Sequence, residues 1–411
     1  MQTTITMSDK THYYIALEEE YGAHNYHPIP VVLSRGQGVY VWDVDEKKYY
    51  DFLSGYSALN QGHCHPKILA AFIEQSQKLT LTSRAFYNDA LGAYEQFITN
   101  YFGYDKVLPM NTGVEAVETA LKLCRKWAYE VKGIPHDKAT IIVCEGNFHG
   151  RTTTVISFSS DPDAKKNFGP YTPGFEIIPY NDVDALQKVI TGKNVAGFLV
   201  EPIQGEAGVV VPEDGYLSKA KKLCEQNNVL FIADEIQTGL ARTGKMLACD
   251  HEHVRPDILI LGKALSGGMM PVSAVLADNE IMMTLHPGEH GSTYGGNPLA
   301  CKTAMAALQV LKDEKMAEHA EAMGQLFRNE LKKLQSQHIA IIRGKGLLNA
   351  IVIAHPKKDA AWELCLQLKE NGLLAKPTHG DKIRLAPPLI ITEDQVMECV
   401  NIIGNSLSCL D

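Results

Sequence analysis

Residues 256–268 read PDILILGKALSGG, an apolar run from Ile258 to Leu261 that stops at Gly262-Lys263 and continues into small and glycine residues. Apolar residues at consecutive positions suit a strand covered on both faces better than a half-exposed one. A lysine at the end of such a strand can be kept from bulk water and approached closely by a planar ligand. It then loses its proton readily and can attack a carbonyl, which is the condition for a Schiff base. Taken alone, a strand-end lysine is more often a surface cation, so the surrounding sequence has to decide.

Similar runs lie on both sides: VLPMNT (107–112), TIIVCEG (140–146), GFLVEPI (197–203), VLFIADEI (229–236) and VSAVLAD (272–278). Between the first two, residues 113–132 carry Val114, Val117, Leu121, Cys124 and Ala128 at three- and four-residue steps, which predicts a helix with one apolar face. The expected fold class is therefore α/β, a mainly parallel sheet covered by helices. Ligands of such sheets sit at the carboxyl ends of the strands, where Asn111-Thr112, Glu201, Asp234-Glu235 and Lys263 fall.

Outside this region the pattern changes. Residues 38–52, GVYVWDVDEKKYYDF, alternate as a strand pair turning at Asp45-Glu46. After about residue 298 come an amphipathic stretch (300–337), RGKGLLNAIVI (343–353), a helix near 358–371 and IRLAPPL (383–389). The expected division is a large domain over 55–310 and a smaller α+β domain built from the termini, with 1–54 joining 311–411.

The chain has 411 residues, a formal charge of −9 and no Lys/Arg block, which argues against a nucleic-acid or anionic-membrane surface. No stretch approaches the roughly 20 apolar residues of a membrane span. Nine cysteines stand singly without a C-x-x-C pair, as expected of reduced thiols. MQTTITMSDKTHYYIALEEEYG lacks an apolar core segment and is too acidic for a transit peptide, so the cytoplasm is the expected location.

Asp234 closes VLFIADE, and a buried acid there needs a partner; a protonated pyridine nitrogen would serve, as would a structural cation. A Walker-B-like acid for magnesium is excluded because no G-x-x-x-x-G-K-[ST] loop is present to hold a triphosphate. Thr112-Gly113-Val114 sits where a strand meets a helix N-terminus, a place for a phosphate or simply for a capping threonine. His24, His27, His63, Cys64 and His65 lack a third ligand at metal spacing, and no metal is expected.

Together, NTGVEAVETALKLCRKW (111–127), FHGRT (148–152), EPIQGEAGV (201–209), LFIADEIQTGLARTG (230–244), PDILILGKALSGG and GSTYGGNPLA (291–300) resemble the motifs of the class III, fold-type I aminotransferases. YGAHNYHPIPVVL (21–33), FLSGYSALNQGHCHPK (52–67), KLTLTSRAFYN (78–88) and NGLLAKPTHGDKIRLAPPL (371–389) extend the resemblance to nearly the whole chain and are similar to its ornithine-using branch. The resemblance implies pyridoxal 5′-phosphate as cofactor, with Lys263 forming the Schiff base and moving the proton and Asp234 pairing with the pyridine nitrogen. It also implies that Thr112, Gly113 and Val114 bind the phosphate, that Phe148 stacks on the ring and that Gln237 lies near its hydroxyl. Thr293 would reach the phosphate from the other subunit of a homodimer.

For substrates the resemblance implies L-ornithine, reacting at its δ-amine, and 2-oxoglutarate. Tyr26 and Arg151 would grip the far end of ornithine, with Tyr56 lining the pocket. Arg384 would take the carboxylate beside the keto group of 2-oxoglutarate and Arg151 the distal one, each through paired hydrogen bonds. Glu206 would neutralise Arg384 while ornithine is bound. The product, glutamate-5-semialdehyde, would cyclise to pyrroline-5-carboxylate, in proline and arginine metabolism. Acetylornithine and 4-aminobutyrate are the alternative donors, and Tyr26 argues against both because its hydroxyl suits a free α-amine. His149 departs from the tryptophan of the animal members of that branch, and FHGRT resembles the form common in other class III members. A catalytically silent scaffold is the rival from another class; it would require loss of Lys263, Asp234 or Arg384, and all are present.

Overall fold

The computed structural model describes residues 8–411; residues 1–7, the start of the segment expected to join the small domain and of the N-terminal stretch read for a transit peptide, lie outside the described residues. Strands β1 (Leu33–Gln37), β2 (Tyr40–Asp43) and β3 (Lys48–Asp51) come first. Seven more follow: β4 (Lys106–Met110), β5 (Thr140–Cys144), β6 (Phe175–Ile178), β7 (Val195–Val200), β8 (Leu230–Asp234), β9 (Ile258–Leu261) and β10 (Ser273–Ala277). The last five are β11 (Ile339–Lys345), β12 (Leu348–Ile353), β13 (Leu373–Leu374), β14 (Lys376–Thr378) and β15 (Lys382–Leu385).

The middle seven form one sheet in the order β4-β10-β9-β8-β7-β5-β6. Its core is parallel, from β6 through β5, β7 and β8 to β9. Every residue of β7, β8, β9 and β10 is buried, as their unbroken apolar runs require. The VSAVLAD strand differs from expectation in running antiparallel to both β4 and β9. The link from β9 is about eleven residues, shorter than the dozen or more that a parallel crossover takes. β6 went unread because FEII is short and half-exposed, with no period to detect.

The helix Gly113–Glu130 starts with a capping box in which Thr112 and Glu115 satisfy each other's backbone N–H groups. Its buried face carries Val117, Leu121, Cys124, Trp127 and Ala128 into a core shared with Ile232, Ile260 and Val275, and each large side chain removed from water there contributes about 1.5–3 kcal/mol. Gly197 in β7 lets the helix sit close: a Cβ there would fall 2.6 Å from Cys124 Sγ.

The amphipathic stretch after residue 298 is two helices, Pro298–Asp313 and Met316–Lys333, separated where Lys315 turns left-handed at φ 49°. RGKGLLNAIVI is part of an antiparallel hairpin, β11 with β12, turning at Gly346 (φ 53°). Two four-stranded sheets complete the structure, β1-β2-β3-β13 and β11-β12-β15-β14. In the first, Tyr50 pairs with Leu373 and Asp51 with Leu374, so segments from opposite ends of the chain share one sheet. No helix among the described residues is long and apolar enough to cross a membrane.

Candidate active site

Lys263 follows β9 at φ 46°, a left-handed conformation uncommon for a residue that carries a Cβ. Loss of water around its amine, reinforced by the charge of Arg384, lowers its pKa to about 8. The lysine keeps part of its surface open to the cleft while its surroundings are dense enough to favour the neutral amine.

Asp234 ends β8, 4% exposed, and its Oδ2 accepts a 2.7 Å hydrogen bond from His149 Nδ1. Its Oδ1 accepts from the Ile236 N–H at 3.1 Å. Burial disfavours the charged form of His149, yet the hydrogen bond to Asp234 and the charges of Asp234 and Glu201 together raise its pKa above the ordinary value. Glu201, at the end of β7, accepts from the Phe148 N–H at 2.8 Å, and burial pushes its carboxyl up to about 7. The sequence placed Glu201 at a strand's carboxyl end beside Asp234 and His149 in the FHGRT motif, but no spacing links positions 149, 201 and 234 as partners, which three separate strands bring together.

The N-terminus of helix Gly113–Glu130 faces the same cleft. Its first amides, Gly113 and Val114, have no carbonyl inside the helix to bond, so they can hold an anion. A Cβ on Gly262 would lie 3.6 Å from the Gly113 Cα, which places this anion cradle beside Lys263. The Gly150 backbone covers the same helix end: a Cβ on it would fall 2.4 Å from Val114 Cγ2. An amine of lowered pKa, free helix amides and a buried carboxylate are the donor set that the aldehyde, phosphate and pyridine nitrogen of pyridoxal 5′-phosphate call for. Phe148 is half-buried and lines the cleft with His149 and Arg151.

Arg384, on β15, is 2% exposed and carries three neighbours. Its Nη1 donates to Glu206 Oε2 at 3.3 Å and to Gln237 Oε1 at 2.5 Å, and its guanidinium lies 4.7 Å from the centre of the Tyr56 ring. Gln237 is thus held by Arg384, and Gly205 leaves it room, since a Cβ there would meet Gln237 Oε1 at 2.4 Å. Glu206 is fixed by Thr378, whose hydroxyl donates to the Glu206 carbonyl at 2.9 Å.

Arg151 is exposed and lies 5.6 Å from the Phe148 ring, in a cleft of about 330 Å³ lined also by Glu206, His379 and Lys382. Tyr26 is 71% exposed and close enough to Tyr56 to raise the latter's pKa, although burial and Glu206 contribute more. Thr293 is exposed in a loop anchored by Asn111, whose side chain donates to Ser292 Oγ at 2.9 Å. No cluster of three or more His, Cys, Asp or Glu able to hold a metal occurs among the described residues.

Tyr56 sits in an unusual backbone: Ser54, Gly55, Tyr56 and Ser57 have φ of 49°, 56°, 61° and 70°. A left-handed turn costs roughly 1–2 kcal/mol for each residue that carries a Cβ. Nothing in FLSGYSALNQ signals it beyond one glycine.

The class III aminotransferase family matches residues 21–407. The chain is 62% identical to the mitochondrial ornithine aminotransferase of Rattus norvegicus, over 96% of its own length and 90% of the relative's. Among solved structures it is similar to the ornithine aminotransferase of Toxoplasma gondii, with a TM-score of 0.95 and 52% identity over 97% and 94% of the two chains. It is also similar to a structure described as acetylornithine aminotransferase from Elizabethkingia anophelis, with a TM-score of 0.89 and 62% identity over 97% and 99%. With its lysine, carboxylate and helix cradle in the arrangement described, the chain belongs to the class III aminotransferases and is a transaminase that depends on pyridoxal 5′-phosphate.

Proposed function

We propose that this chain is an ornithine δ-aminotransferase that moves the δ-amine of L-ornithine to 2-oxoglutarate, giving glutamate-5-semialdehyde and glutamate in a ping-pong cycle. The observation that carries the reading is Arg384, a nearly buried carboxylate receptor already paired with Glu206 at 3.3 Å. A cation held by a movable carboxylate can serve a diamine donor in one half-cycle and a dicarboxylate in the other.

When bound, the cofactor supplies a carbonyl for amine exchange and a ring that withdraws electrons. Lys263, with a pKa of about 8, carries a usable neutral fraction near neutrality, so its Nζ can take a proton and return it. Asp234 presents a carboxylate to the pyridine nitrogen and His149 holds that carboxylate from behind. Thr112, Gly113 and Val114 would hold the phosphate, with Thr293 of a second subunit, and Phe148 would offer an aromatic face to the ring. Gln237 keeps Arg384 aimed into the pocket. Tyr26 and Arg151 receive the α-amino and α-carboxylate groups of ornithine, Tyr56 lines the space between, and Arg151 takes the distal carboxylate of 2-oxoglutarate. The semialdehyde then closes onto its own amine to give pyrroline-5-carboxylate, which places the reaction in proline and arginine metabolism.

Residues 55–310 form the cofactor domain in this reading, and 1–54 with 311–411 the smaller domain that supplies Tyr26 and Arg384. The enzyme is a homodimer of the cytoplasm; its free cysteines suit a reducing compartment. Its partners are small molecules, without nucleic acid or membrane.

The Elizabethkingia similarity favours a second donor, N-acetylornithine. One experiment separates the two: the absorbance of the purified holoenzyme with L-ornithine and, in parallel, with N-acetylornithine. Bleaching of the yellow band by ornithine alone supports the reading. Bleaching by acetylornithine alone replaces the donor, and a protein that never turns yellow with added cofactor removes the catalytic reading.

A further inference from the structure

Arg242 is a fully buried arginine at 0% exposure whose hydrogen bonds go to neutral oxygens. Its Nε and Nη2 donate to Asn60 Oδ1 at 3.0 and 2.6 Å, and its Nη1 donates to the carbonyls of Leu347 at 3.1 Å and Pro387 at 2.5 Å. Burial lowers its pKa to about 9 against the opposing charge of Asp51, still above neutrality, so a charge is held in the interior with no carboxylate hydrogen-bonded to it. Such a group is costly to bury, and a planar fork with several donors suits it better than an ammonium.

The three partners locate what the fork joins. Asn60 lies three residues after Ser57, the last residue of the left-handed turn 54–57, which closes where the Ser54 carbonyl accepts from Ala58 and Leu59 N–H at 2.8 and 3.1 Å; the Asn60 side-chain amide donates to the Leu240 carbonyl at 2.7 Å, and its own carbonyl accepts from Leu389 N–H at 2.8 Å. On the other side of the turn, Asp51 Oδ1 accepts from Leu53 and Ser54 N–H at 2.9 and 2.8 Å, while His63 Nε2 bonds Asp51 Oδ2 at 2.8 Å. Pro387 lies just beyond the strand that carries Arg384, and Leu347 lies in the hairpin whose second strand pairs Ala350 with Arg384. Tyr56 and Arg384, whose groups lie 4.7 Å apart, therefore sit on two segments that meet at one guanidinium.

We propose that Arg242 is a positioning residue for the substrate carboxylate: through Asn60 and Pro387 it holds the strained turn bearing Tyr56 against the strand bearing Arg384. It touches no substrate. A turn in an unfavourable backbone conformation persists only when its surroundings over-determine it, and Asn60 is where that restraint meets the carboxylate receptor. Lysine cannot bridge Asn60, Leu347 and Pro387 at once, because it lacks the planar fork. The proposal rests on the reading of Arg384 as the carboxylate receptor.

The test uses the holoenzyme, R242K and N60A, with the absorbance band and thermal midpoint as checks of loading and folding. Calorimetry gives the Kd for glutarate, a dicarboxylate that cannot turn over, and steady-state kinetics give KM and kcat for each substrate. The expected result is a glutarate Kd and a 2-oxoglutarate KM about tenfold higher in each folded, loaded variant, equivalent to ~1.4 kcal/mol, with a smaller fall in kcat. Unchanged glutarate and 2-oxoglutarate affinities in a folded, loaded variant overturn the proposal, as does a fall in kcat alone; if R242K does not fold, N60A decides. Glutarate binding needs no turnover, so a wild type that ignores ornithine would sink the donor assignment and leave the comparison of variants intact.

Discussion

His149 Nδ1 lies 2.7 Å from Asp234 Oδ2, and both side chains are almost wholly buried. Replacing His149 with Phe leaves a buried carboxylate oxygen without its donor, at a cost of roughly 1–3 kcal/mol. The histidine's pKa is raised in the fold, so its stabilisation is complete below its unfolded value of about 6.5 and is lost as pH rises through the raised value. The gap in thermal midpoint between wild type and H149F should be widest in acid and narrow in alkali; a gap that does not change with pH would contradict this account.

Glu201 gives a slope that can be removed. Burial raises its carboxyl from 4.5 to about 7, so the folded state prefers the protonated acid and loses stability as pH climbs between those values. Glu201→Gln keeps an acceptor for the Phe148 N–H and abolishes the titration. Its stability relative to wild type should rise from pH 4.5 to 7 by ~3 kcal/mol at most, measured by denaturant unfolding at several pH values.

Lys263 must be neutral to capture an aldehyde, and its pKa of about 8 sets the window. The rate at which apoenzyme takes up pyridoxal 5′-phosphate is expected to rise with pH and level off above about 8. Stopped-flow absorbance measures it. A flat profile across that range would show that the amine is not the titrating group, and K263R, which cannot lose its proton, should capture none.

The Arg384–Glu206 pair predicts opposite effects on the two substrates. Glu206→Gln frees the guanidinium for carboxylates throughout the cycle, so KM for 2-oxoglutarate should fall and that for ornithine rise. Their ratio is expected to move by about tenfold, ~1.4 kcal/mol. A ratio unchanged within twofold would mean that the pair plays no part in choosing between substrates.

Gly197 tests the packing beneath the site. A Cβ there meets Cys124 Sγ at 2.6 Å and Ile232 Cδ1 at 3.1 Å, so Gly197→Val forces helix Gly113–Glu130 off the sheet. The expected loss is ~1–3 kcal/mol of stability together with weaker cofactor retention, because the amides proposed to hold the phosphate stand at that helix's N-terminus. Urea titration and cofactor dissociation should change together.

The sheet and its reactive edge were legible because a strand buried on both faces writes itself as an apolar run; PDILILGK exposes both the strand and the lysine that ends it. The helix Gly113–Glu130 was legible from its stripe and from Thr112 at its start. Direction was less so: nothing within VSAVLAD distinguishes antiparallel from parallel, and the short link before it was the only clue. Contacts that depend on three-dimensional approach were not legible. Arg242 reads as one arginine among small residues, and the left-handed turn at Tyr56 arises from restraints imposed by Asp51, Asn60 and Arg242, which the local sequence cannot display.

The pairing of Tyr50 with Leu373 bears on the order in which the enzyme can be made. A chain still on the ribosome after some 300 residues already contains Lys263, Asp234 and the Gly113 helix, but β3 has no neighbour on its open side and Arg384 does not yet exist. Closing that sheet joins residues more than 300 positions apart, the kind of distant contact that slows folding. The residues assigned to the cofactor are therefore synthesised before the arginine assigned to the substrate carboxylate, which only the last stretch of translation supplies.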